Sequence, residues 1–376
     1  MKQYPVSFFA LAFIACVVAC MGSKVPSANT STTSSEAVAS TTAAPSPPPV
    51  VTAALTKPPA IRLKYRGTNL SGGEFGQLPG VVGRDYGYPK PEDARYFVER
   101  GMNFFRIPFR HERLQPTMRG PLDDAEWARM MVIVDAALAM GATVAIEPHN
   151  SGRYNGRVIS TVEMGDLWGR IANRVKARPD VDRIWMNLTN EPHDMTTETW
   201  LALANAGIRE LRRVGFNGTV LVPGNGWTGA GHWSSTWYGG SNAKVMLGVV
   251  DPVNNVVFET HLYLDSDSSG GKPECVSPTI GVERLTNFVE WLRANGKVGF
   301  LGEIGAPNTP LCKEAITRTL AFVEEHYDVW AGWAAWSAGY RWTPTYPLSL
   351  QPNADGSPKP QLAWYRGFLP TSCGVN

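Results

Sequence analysis

Two glutamates that follow apolar runs are the residues of this sequence best suited to paired acid and nucleophile chemistry. Glu191 lies in "LTNEPHDM" and Glu303 in "GFLGEIGAP", far apart along the chain. Carboxyl groups in unlike environments can divide such work, because one keeps a proton for a leaving oxygen while the other stays ionised. Hydrolysis of a glycosidic bond needs this kind of pair, with the ionised carboxylate attacking the anomeric carbon.

The elements that must position these glutamates can be read from hydrophobic periodicity. From Arg62 onward, short β-branched or apolar runs alternate eight times with stretches of helical period such as "TETWLALANAGIRELRRVG". The pattern predicts an α/β fold, a (β/α)8 TIM barrel over residues 62–376. The fifth helix is weakly marked, because the stretch after Val222 is rich in Gly, Trp and Ser. The predicted strands are 63–67, 103–108, 143–146, 184–189, 219–222, 256–259, 299–301 and 330–336.

Polar residues stand where these apolar strands end, and catalytic groups of such barrels gather at the carboxyl ends of the strands. The ends of the fourth and seventh strands face each other in a closed barrel, which brings Glu191 opposite Glu303. We expect Arg106 and the phenol of Tyr263 to donate to Glu303 and keep it ionised, while the less compensated Glu191 holds its proton. The other polar or aromatic strand-end candidates are His149, Asn150, Asn190, His261 and Trp336.

The tripeptide Glu-Pro-His occurs twice, at Glu147 to His149 and at Glu191 to His193. With a two-residue side-chain period, Glu147 shares a strand face with His149, so we expect it to point into the barrel and pair with a buried donor. We expect His193 to brace a loop. The two copies therefore predict different roles.

Composition excludes several classes of partner. The 376 residues are 43% hydrophobic, and 35 Lys and Arg nearly balance 33 Asp and Glu, for a net charge of +2. No nucleic acid or other polyanion is implied. All 13 Trp lie after residue 61, and flat indole faces suit neutral sugar rings, although core packing must account for most of them.

The N-terminal region predicts export. Residues 1–19 contain one lysine and then an apolar stretch too short for a permanent membrane span, which is typical of a signal peptide. The sequence "VVAC", ending at Cys20, resembles a bacterial lipobox, in which the cysteine is lipidated; ordinary cleavage nearby is the alternative. Residues 20–61 are dominated by Ser, Thr, Pro and Ala, which predicts a disordered linker. We therefore expect a secreted protein or an outer-membrane or surface-tethered lipoprotein.

Seven segments together resemble glycoside hydrolase family five, in particular its fungal and bacterial endo-β-1,4-glucanases. They are "NFFRIPF", "PHNSGRYNG", "LTNEPHDM", "LVPGNGW", "FETHLYLDSDSSG", "GFLGEIG" and "GWAAWSAG". The likeness covers about residues 62 to 376, in the family's order. It implies a retaining hydrolase of cellulose, carboxymethyl cellulose or mixed-linkage glucan, with Glu191 as acid/base and Glu303 as nucleophile. No cofactor is implied, and we expect a monomer.

The resemblance also implies supporting roles, with Arg106 and Tyr263 among the supporting residues. Asn190 would bind the sugar 2-hydroxyl, His261 would lie beside Glu191, and His149 would bind a substrate hydroxyl or brace Arg106. Trp336 would form the base of the subsite where the bond breaks. The Trp336-Ser337 peptide is expected to be cis, as is frequent in the family.

Aromatic residues after strand ends predict an extended glucan cleft. Trp227 in "GNGW" matches the family best. Trp233 and Trp237 are four residues apart, so packing within one helical turn is an equal alternative to sugar binding. The further candidates for substrate contact are Asn150, Tyr154, Tyr340 and Trp342.

Three cysteines belong to the folded part. Family members that resemble this chain link a cysteine after the "LDSD" loop to one beyond the nucleophile strand, which implies a disulfide between Cys275 and Cys312. Cys373 matches a family cysteine whose partner position is held here by Thr317. A free thiol or an intermolecular bond at Cys373 stays open.

Three other functions are compatible with parts of this pattern. The same fold could act on mannan, xylan or xyloglucan, since the catalytic pair does not specify the sugar. A glycan-binding protein without turnover would be expected if either Glu191 or Glu303 were missing. A metal site built from His149, His193 and His261 with the glutamates lacks any recognised ligand spacing.

Overall fold

The computed structural model describes residues 61–370. The expectations for the signal peptide, Cys20, the linker and Cys373 concern positions outside the described residues, apart from Ile61. Between Ile61 and Pro370, no helix combines the length and the apolar character that crossing a membrane requires.

Eight parallel strands form a closed barrel. Each strand pairs with its sequence neighbours, and the first and last strands pair with each other to close the ring. This confirms the predicted (β/α)8 architecture. The strands are β1 (Tyr65–Leu70), β2 (Phe104–Phe109), β3 (Thr143–Pro148), β4 (Ile184–Asn187), β5 (Val220–Pro223), β6 (Val256–Tyr263), β7 (Gly299–Gly305) and β8 (Trp330–Ala338).

In the described part of the chain, six helices of eight or more residues surround this barrel, and side-chain caps define where several of them begin. Ser160 accepts from the backbone N–H of Glu163, and the Glu163 side chain accepts from the Ser160 backbone, a capping box. Only helical segments of three or four residues occur between β5 and β6, as the Gly-, Trp- and Ser-rich sequence predicts. The helices are α1 (Pro91–Val98), α2 (Asp124–Ala139), α3 (Thr161–Val175), α4 (Thr197–Arg213), α5 (Ile280–Ala294) and α6 (Pro310–Glu325).

The barrel interior changes from apolar to charged over one side-chain period. Its amino-terminal layer is an aromatic and aliphatic cluster built from Phe104, Ala145, Trp185, Leu221, Val257, Phe300 and Ala334. Two residues further along their strands, the same face carries Arg106, Glu147, Asn187 and Glu259, each with no exposed surface. The apolar layer therefore closes the barrel beneath a buried charged layer.

All eight predicted strands are present, but several boundaries differ from the prediction. β6 continues to Tyr263 and β7 to Gly305, whereas the apolar runs stop four residues earlier. The polar residues that interrupt those runs face the interior and find partners there, so strand pairing continues past them. Conversely, β4 ends at Asn187, two residues before the predicted end.

A disulfide joins the loop after β6 to α6. Cys275 and Cys312 are bonded across 37 residues of sequence, with Cα atoms 5.3 Å apart. Both side chains are buried, at 5% and 0% exposure. The predicted pairing is confirmed, and it ties the long loop that follows Tyr263 to the outer helical layer.

We expect replacement of both cysteines, in a Cys275→Ala/Cys312→Ala variant, to lower the free energy of unfolding by about 2–4 kcal/mol. The disulfide reduces the number of conformations that the unfolded chain can adopt, and its removal restores them. Urea unfolding of the variant and of the unaltered protein, both without reductant, measures the difference. Equal stabilities would contradict a structural role for this bond.

Candidate active site

The two candidate glutamates meet at the carboxyl-terminal end of the barrel. Glu303 lies within β7 and Glu191 in the loop after β4. One carboxylate oxygen of each, together with Nδ1 of His261, lies within 4.8 Å of the other two atoms. Retaining glycosidases hold their two carboxyl groups about 5 to 5.5 Å apart. The observed approach therefore suits direct attack by one carboxylate with proton transfer by the other.

The environments of the two carboxyl groups differ. The Glu191 side chain is 24% exposed and that of Glu303 is 3% exposed. Arg106 Nη1 donates to Glu303 Oε1 at 2.9 Å, and the hydroxyl of Tyr263 donates to Oε2 at 2.5 Å. Both predicted donors are present, but the expectation that they keep Glu303 readily ionised is wrong, because the pKa of Glu303 lies above its ordinary value. Burial raises the pKa of Glu303, and the charge of Glu191 adds to the rise, while His261, Arg106 and His149 oppose it.

Arg106 is the centre of the buried charged layer. Besides Glu303, its Nε lies 3.0 Å from Glu259 and its Nη2 lies 3.8 Å from Glu147. Burial acts to lower the pKa of Arg106, but these three carboxylates together raise it above its ordinary value. Nη2 also donates to Asn190 Oδ1 at 3.1 Å, so the cation orients the amide next to Glu191.

His261 connects the two candidate glutamates. Its Nδ1 lies 2.8 Å from Glu191 Oε1 and 3.5 Å from Glu303 Oε2, and its Nε2 lies 3.6 Å from Glu259 Oε1. Burial opposes a charged ring, but Glu303, Glu191 and Glu259 together raise the pKa of His261 to about 10. The imidazolium is thus a buried cation between carboxylates, in the predicted place beside Glu191.

The group of Glu191, His261 and Glu303 is also compact enough to hold a metal ion. Its ring nitrogen would have to lose a proton to bind one, because metal ligation needs neutral imidazole. The raised pKa of His261 opposes that loss. The arrangement therefore fits proton chemistry better than metal binding.

His149 occupies the other side of Arg106. Its Nδ1 lies 2.7 Å from Glu147, which is fully buried as the strand period predicts. Its Nε2 lies 3.2 Å from the amide nitrogen of Asn190, a contact that fits a neutral ring. Burial opposes ring protonation, yet Glu147 raises the pKa of His149 to about 9. The contact with Asn190 thus favours a neutral ring, whereas Glu147 favours a charged one. Arg106 fixes the Asn190 amide, so the amide N–H opposes the ring protonation that the charge of Glu147 favours.

An aromatic group lies beside His149. Trp336 stacks on the His149 ring at 5.6 Å, and its indole N–H donates to the hydroxyl of Tyr346 at 3.0 Å. Trp342 stacks on Tyr346 at 3.8 Å and meets Trp336 edge-on at 6.0 Å. The Trp336-Ser337 peptide is cis, as expected. These rings form one wall near the catalytic pair.

The opposite side of Glu191 opens into a cleft of about 420 Å³. Trp227 is 44% exposed there and stacks on His193 at 4.7 Å. Nδ1 of His193 lies 2.8 Å from the backbone oxygen of Glu191, so His193 braces this loop as predicted. The cleft is lined by Glu191, Trp227, His232, Trp237, His261 and Tyr263, among others.

Three predicted substrate contacts lie elsewhere or are otherwise engaged. Trp233 is wholly buried and packs edge-on against Phe288 and Trp291, so the prediction that it binds substrate is wrong. The hydroxyl of Tyr154 donates to backbone oxygens of the segment before α2, which makes Tyr154 a loop brace rather than a cleft residue. The side-chain amide of Asn150 donates to the backbone of Arg153 within its own turn.

Sequence reasoning missed two buried carboxylates. Glu259 contacts Arg106 and faces His261, and the signal was available because Glu259, His261 and Tyr263 alternate along β6. Glu74, in the loop after β1, is 8% exposed, and one of its oxygens accepts from the backbone N–H of Gly72 at 2.6 Å. Burial raises the pKa of Glu74 to about 7, partly opposed by His149. No periodic pattern in its Gly-rich loop indicated that burial.

Comparisons with known proteins agree with this geometry. The family model for cellulase (glycosyl hydrolase family 5) matches residues 63–339. Endo-beta-1,4-glucanase B of Aspergillus niger is 40% identical over 299 residues, which are 79% of this chain and 87% of that protein.

Solved structures give the same result. XacCel5A in complex with cellopentaose is 42% identical, with a TM-score of 0.79 over 81% of this chain and 99% of that chain. Endoglucanase Cel5A of Pseudomonas stutzeri in complex with cellobiose is 30% identical, with a TM-score of 0.74 over 83% and 94%. These relatives bind cello-oligosaccharides.

We expect Glu74→Gln to reduce the loss of stability at rising pH. The pKa of Glu74 is about 7 in the folded protein, whereas the unfolded chain releases this proton near the ordinary glutamate pKa of 4.5. The contribution of Glu74 to stability is therefore fully present below pH 4.5 and is lost as the pH rises to 7. The loss is on the order of 3 kcal/mol, and the glutamine variant, which does not titrate, avoids it. Urea unfolding at pH 4.5 and pH 8 measures it.

The exposed Glu99→Gln serves as the matched control, because it removes the same charge from the surface. Its stability should vary with pH as that of the unaltered protein does. An identical pH dependence in the Glu74→Gln variant would show that Glu74 is not held protonated in the folded state.

Proposed function

This chain belongs to glycoside hydrolase family 5, and we propose that it is a retaining endo-β-1,4-glucanase acting on internal bonds of cellulose or a related β-glucan. The observation that carries this proposal is the approach of Glu191 and Glu303 to within 4.8 Å at the carboxyl-terminal end of the barrel. The aromatic walls on both sides of the pair suit a long glucan, whose flat apolar sugar faces stack on such rings.

The first chemical step uses both glutamates. Glu303 attacks the anomeric carbon, Glu191 gives its proton to the leaving oxygen, and a covalent glycosyl-enzyme forms through an oxocarbenium-like transition state. Arg106 and Tyr263 donate to the attacking carboxylate and hold its orientation. Because burial raises the pKa of Glu303, activity should rise on the acid side at a higher pH than an exposed glutamate would give.

The second step reverses the proton transfer. Glu191, now a carboxylate, takes a proton from water as the water oxygen attacks the anomeric carbon, and the bond to Glu303 breaks. His261 lies 2.8 Å from Glu191 in position to stabilise that carboxylate. Both displacements invert the carbon, so the product keeps the starting configuration.

Neighbouring side chains position the sugar. Asn190, with its amide oriented by Arg106, would donate to the 2-hydroxyl of the reacting sugar, a contact that strengthens as the ring flattens. Trp336 would carry that sugar, with His149 stacked behind it. Trp227 would support the leaving portion of the chain, with the Trp336 wall on the other side of the bond.

We propose a cell-surface or extracellular location. The signal-like residues 1–19, the lipobox-like Cys20 and the linker composition of residues 20–61 support a catalytic domain, residues 62–376, tethered through a lipid. The Cys275–Cys312 disulfide agrees with an oxidising compartment.

We expect Glu191→Gln to separate substrates by their need for protonation. Activity on carboxymethyl cellulose should fall about 10²–10⁴-fold, since a general acid contributes that much. An aryl cellobioside with a good leaving group should lose far less in its glycosylation step. Glu303→Gln should abolish turnover of both substrates while cellopentaose still binds. Kinetics and calorimetry measure these outcomes, and equally severe loss on both substrates in Glu191→Gln would contradict the assignment of the acid.

The polymer preference can be tested directly. We expect hydrolysis of carboxymethyl cellulose and mixed-linkage glucan to exceed that of mannan, xylan and xyloglucan at equal mass concentration. The release of reducing ends and the loss of viscosity measure the hydrolysis. A rapid fall in viscosity relative to sugar release indicates internal cleavage. Preference for mannan or xylan would be compatible with the proposed catalytic pair but would contradict the proposed substrate. Binding of all polymers without cleavage would favour a glycan-binding protein.

A further inference from the structure

Glu259 belongs to the buried charged layer around Arg106 and faces His261. It has no exposed surface and precedes His261 by two residues on β6, so both side chains face the barrel interior. One carboxylate oxygen lies 3.0 Å from Arg106 Nε, and the other accepts a short hydrogen bond from the Asn187 amide. Residues on two other strands, β2 and β4, therefore hold this carboxylate.

Two polar atoms at this place face each other without forming a regular hydrogen bond, and one of them, Glu259 Oε1, is the oxygen that pairs with Arg106 Nε. Glu259 Oε1 and His261 Nε2 are fully buried, and neither makes a geometrically regular hydrogen bond among residues 61–370. They lie 3.6 Å apart, which is an ion-pair distance. Gly302 on the neighbouring strand leaves room for the Glu259 carboxylate, because a Cβ atom at this position would lie 2.0 Å from Glu259 Oε1. A larger residue at Gly302 would displace the carboxylate from this position.

We propose that Glu259 is a positioning residue that keeps His261 protonated on both nitrogens. Nδ1–H of His261 then binds Oε1 of Glu191, which leaves Oε2 of Glu191 to carry the proton for the leaving oxygen. This inference rests on the proposed role of Glu191 as the acid. In this proposal Glu259 sets the orientation and the charge of His261, which in turn contacts Glu191. Carboxylates behind catalytic or metal-binding histidines act in the same way.

The charges around His261 support this assignment. Glu191 lies 2.8 Å from the ring, Glu303 3.5 Å and Glu259 3.6 Å, each from a different segment of the barrel end. Tyr263 and Arg106 contact Glu303, and Arg106 also contacts Glu259. With these carboxylates raising its pKa to about 10, His261 stays charged while Glu191 loses its proton and regains it.

Glu259→Gln keeps the shape and removes the charge, and Glu147→Gln is its matched control. Glu147 is an equally buried carboxylate on the opposite side of Arg106, but it contacts His149 instead of His261. Both variants weaken the support of Arg106. Only the first removes the anion facing His261 Nε2.

We expect Glu259→Gln to lower kcat/KM on cellopentaose by about 10–100-fold, the usual effect of a carboxylate that orients a reactive group. The loss on an aryl cellobioside with a good leaving group should be smaller, and the basic limb of the pH profile should move to lower pH. In Glu147→Gln, any loss should be equal on both substrates, without that shift. Equal losses on both substrates and an unmoved basic limb in Glu259→Gln would overturn the proposal.

A second measurement does not depend on activity. Nuclear magnetic resonance of the unaltered protein with ¹⁵N-labelled histidine reports the protonation of each ring nitrogen, and His261→Asn assigns the His261 signals. Both nitrogens of His261 should be protonated at pH 7. A neutral ring at that pH would overturn the proposal, even if the Glu191→Gln kinetics upheld the proposed reaction.

Discussion

The contact between the buried guanidinium of Arg106 and three carboxylates is the interaction on which the rest of the site depends. A fully buried cation is costly unless its charge is compensated and its N–H groups are engaged. Glu303, Glu259 and Glu147 supply the compensation, and Asn190 accepts one of its hydrogen bonds. Each of these partners comes from a different strand or strand end. Arg106 therefore fixes the relative positions of groups that are remote in sequence.

The three carboxylates around Arg106 have different secondary contacts, and these give the two sides of the site different chemistry. Glu147 orients His149, which stacks on Trp336, whereas Glu259 faces His261, which binds Glu191. One histidine thus belongs to the wall proposed to carry the sugar and the other to the group proposed to transfer the proton.

The apolar layer below the charged layer makes these contacts strong. Phe104, Trp185 and Phe300 pack against one another inside the barrel, just beneath Arg106 and its partners. Their packing keeps water from the amino-terminal side, so opposite charges interact in a medium of low polarity. The same exclusion of water raises the pKa of Glu303, while Arg106 and Tyr263 favour its ionised form. Burial and hydrogen bonding therefore act in opposite directions on the ionisation of the proposed nucleophile.

Much of this protein is determined by local patterns in its sequence. Alternation of apolar runs with helical periods is enough to indicate eight strands, and the strand period alone places Glu147 inside the barrel with a partner. Resemblance of short motifs adds the catalytic pair, the cis peptide and the disulfide. The tertiary structure decided which aromatic rings reach the cleft, because Trp233 and Trp237 are equivalent in sequence but only Trp233 meets the core helix α5. It also decided that Glu259 and Glu74 are buried and what charges surround them. Burial and electrostatic environment arise from residues on other strands and loops, and no local window of sequence contains those neighbours.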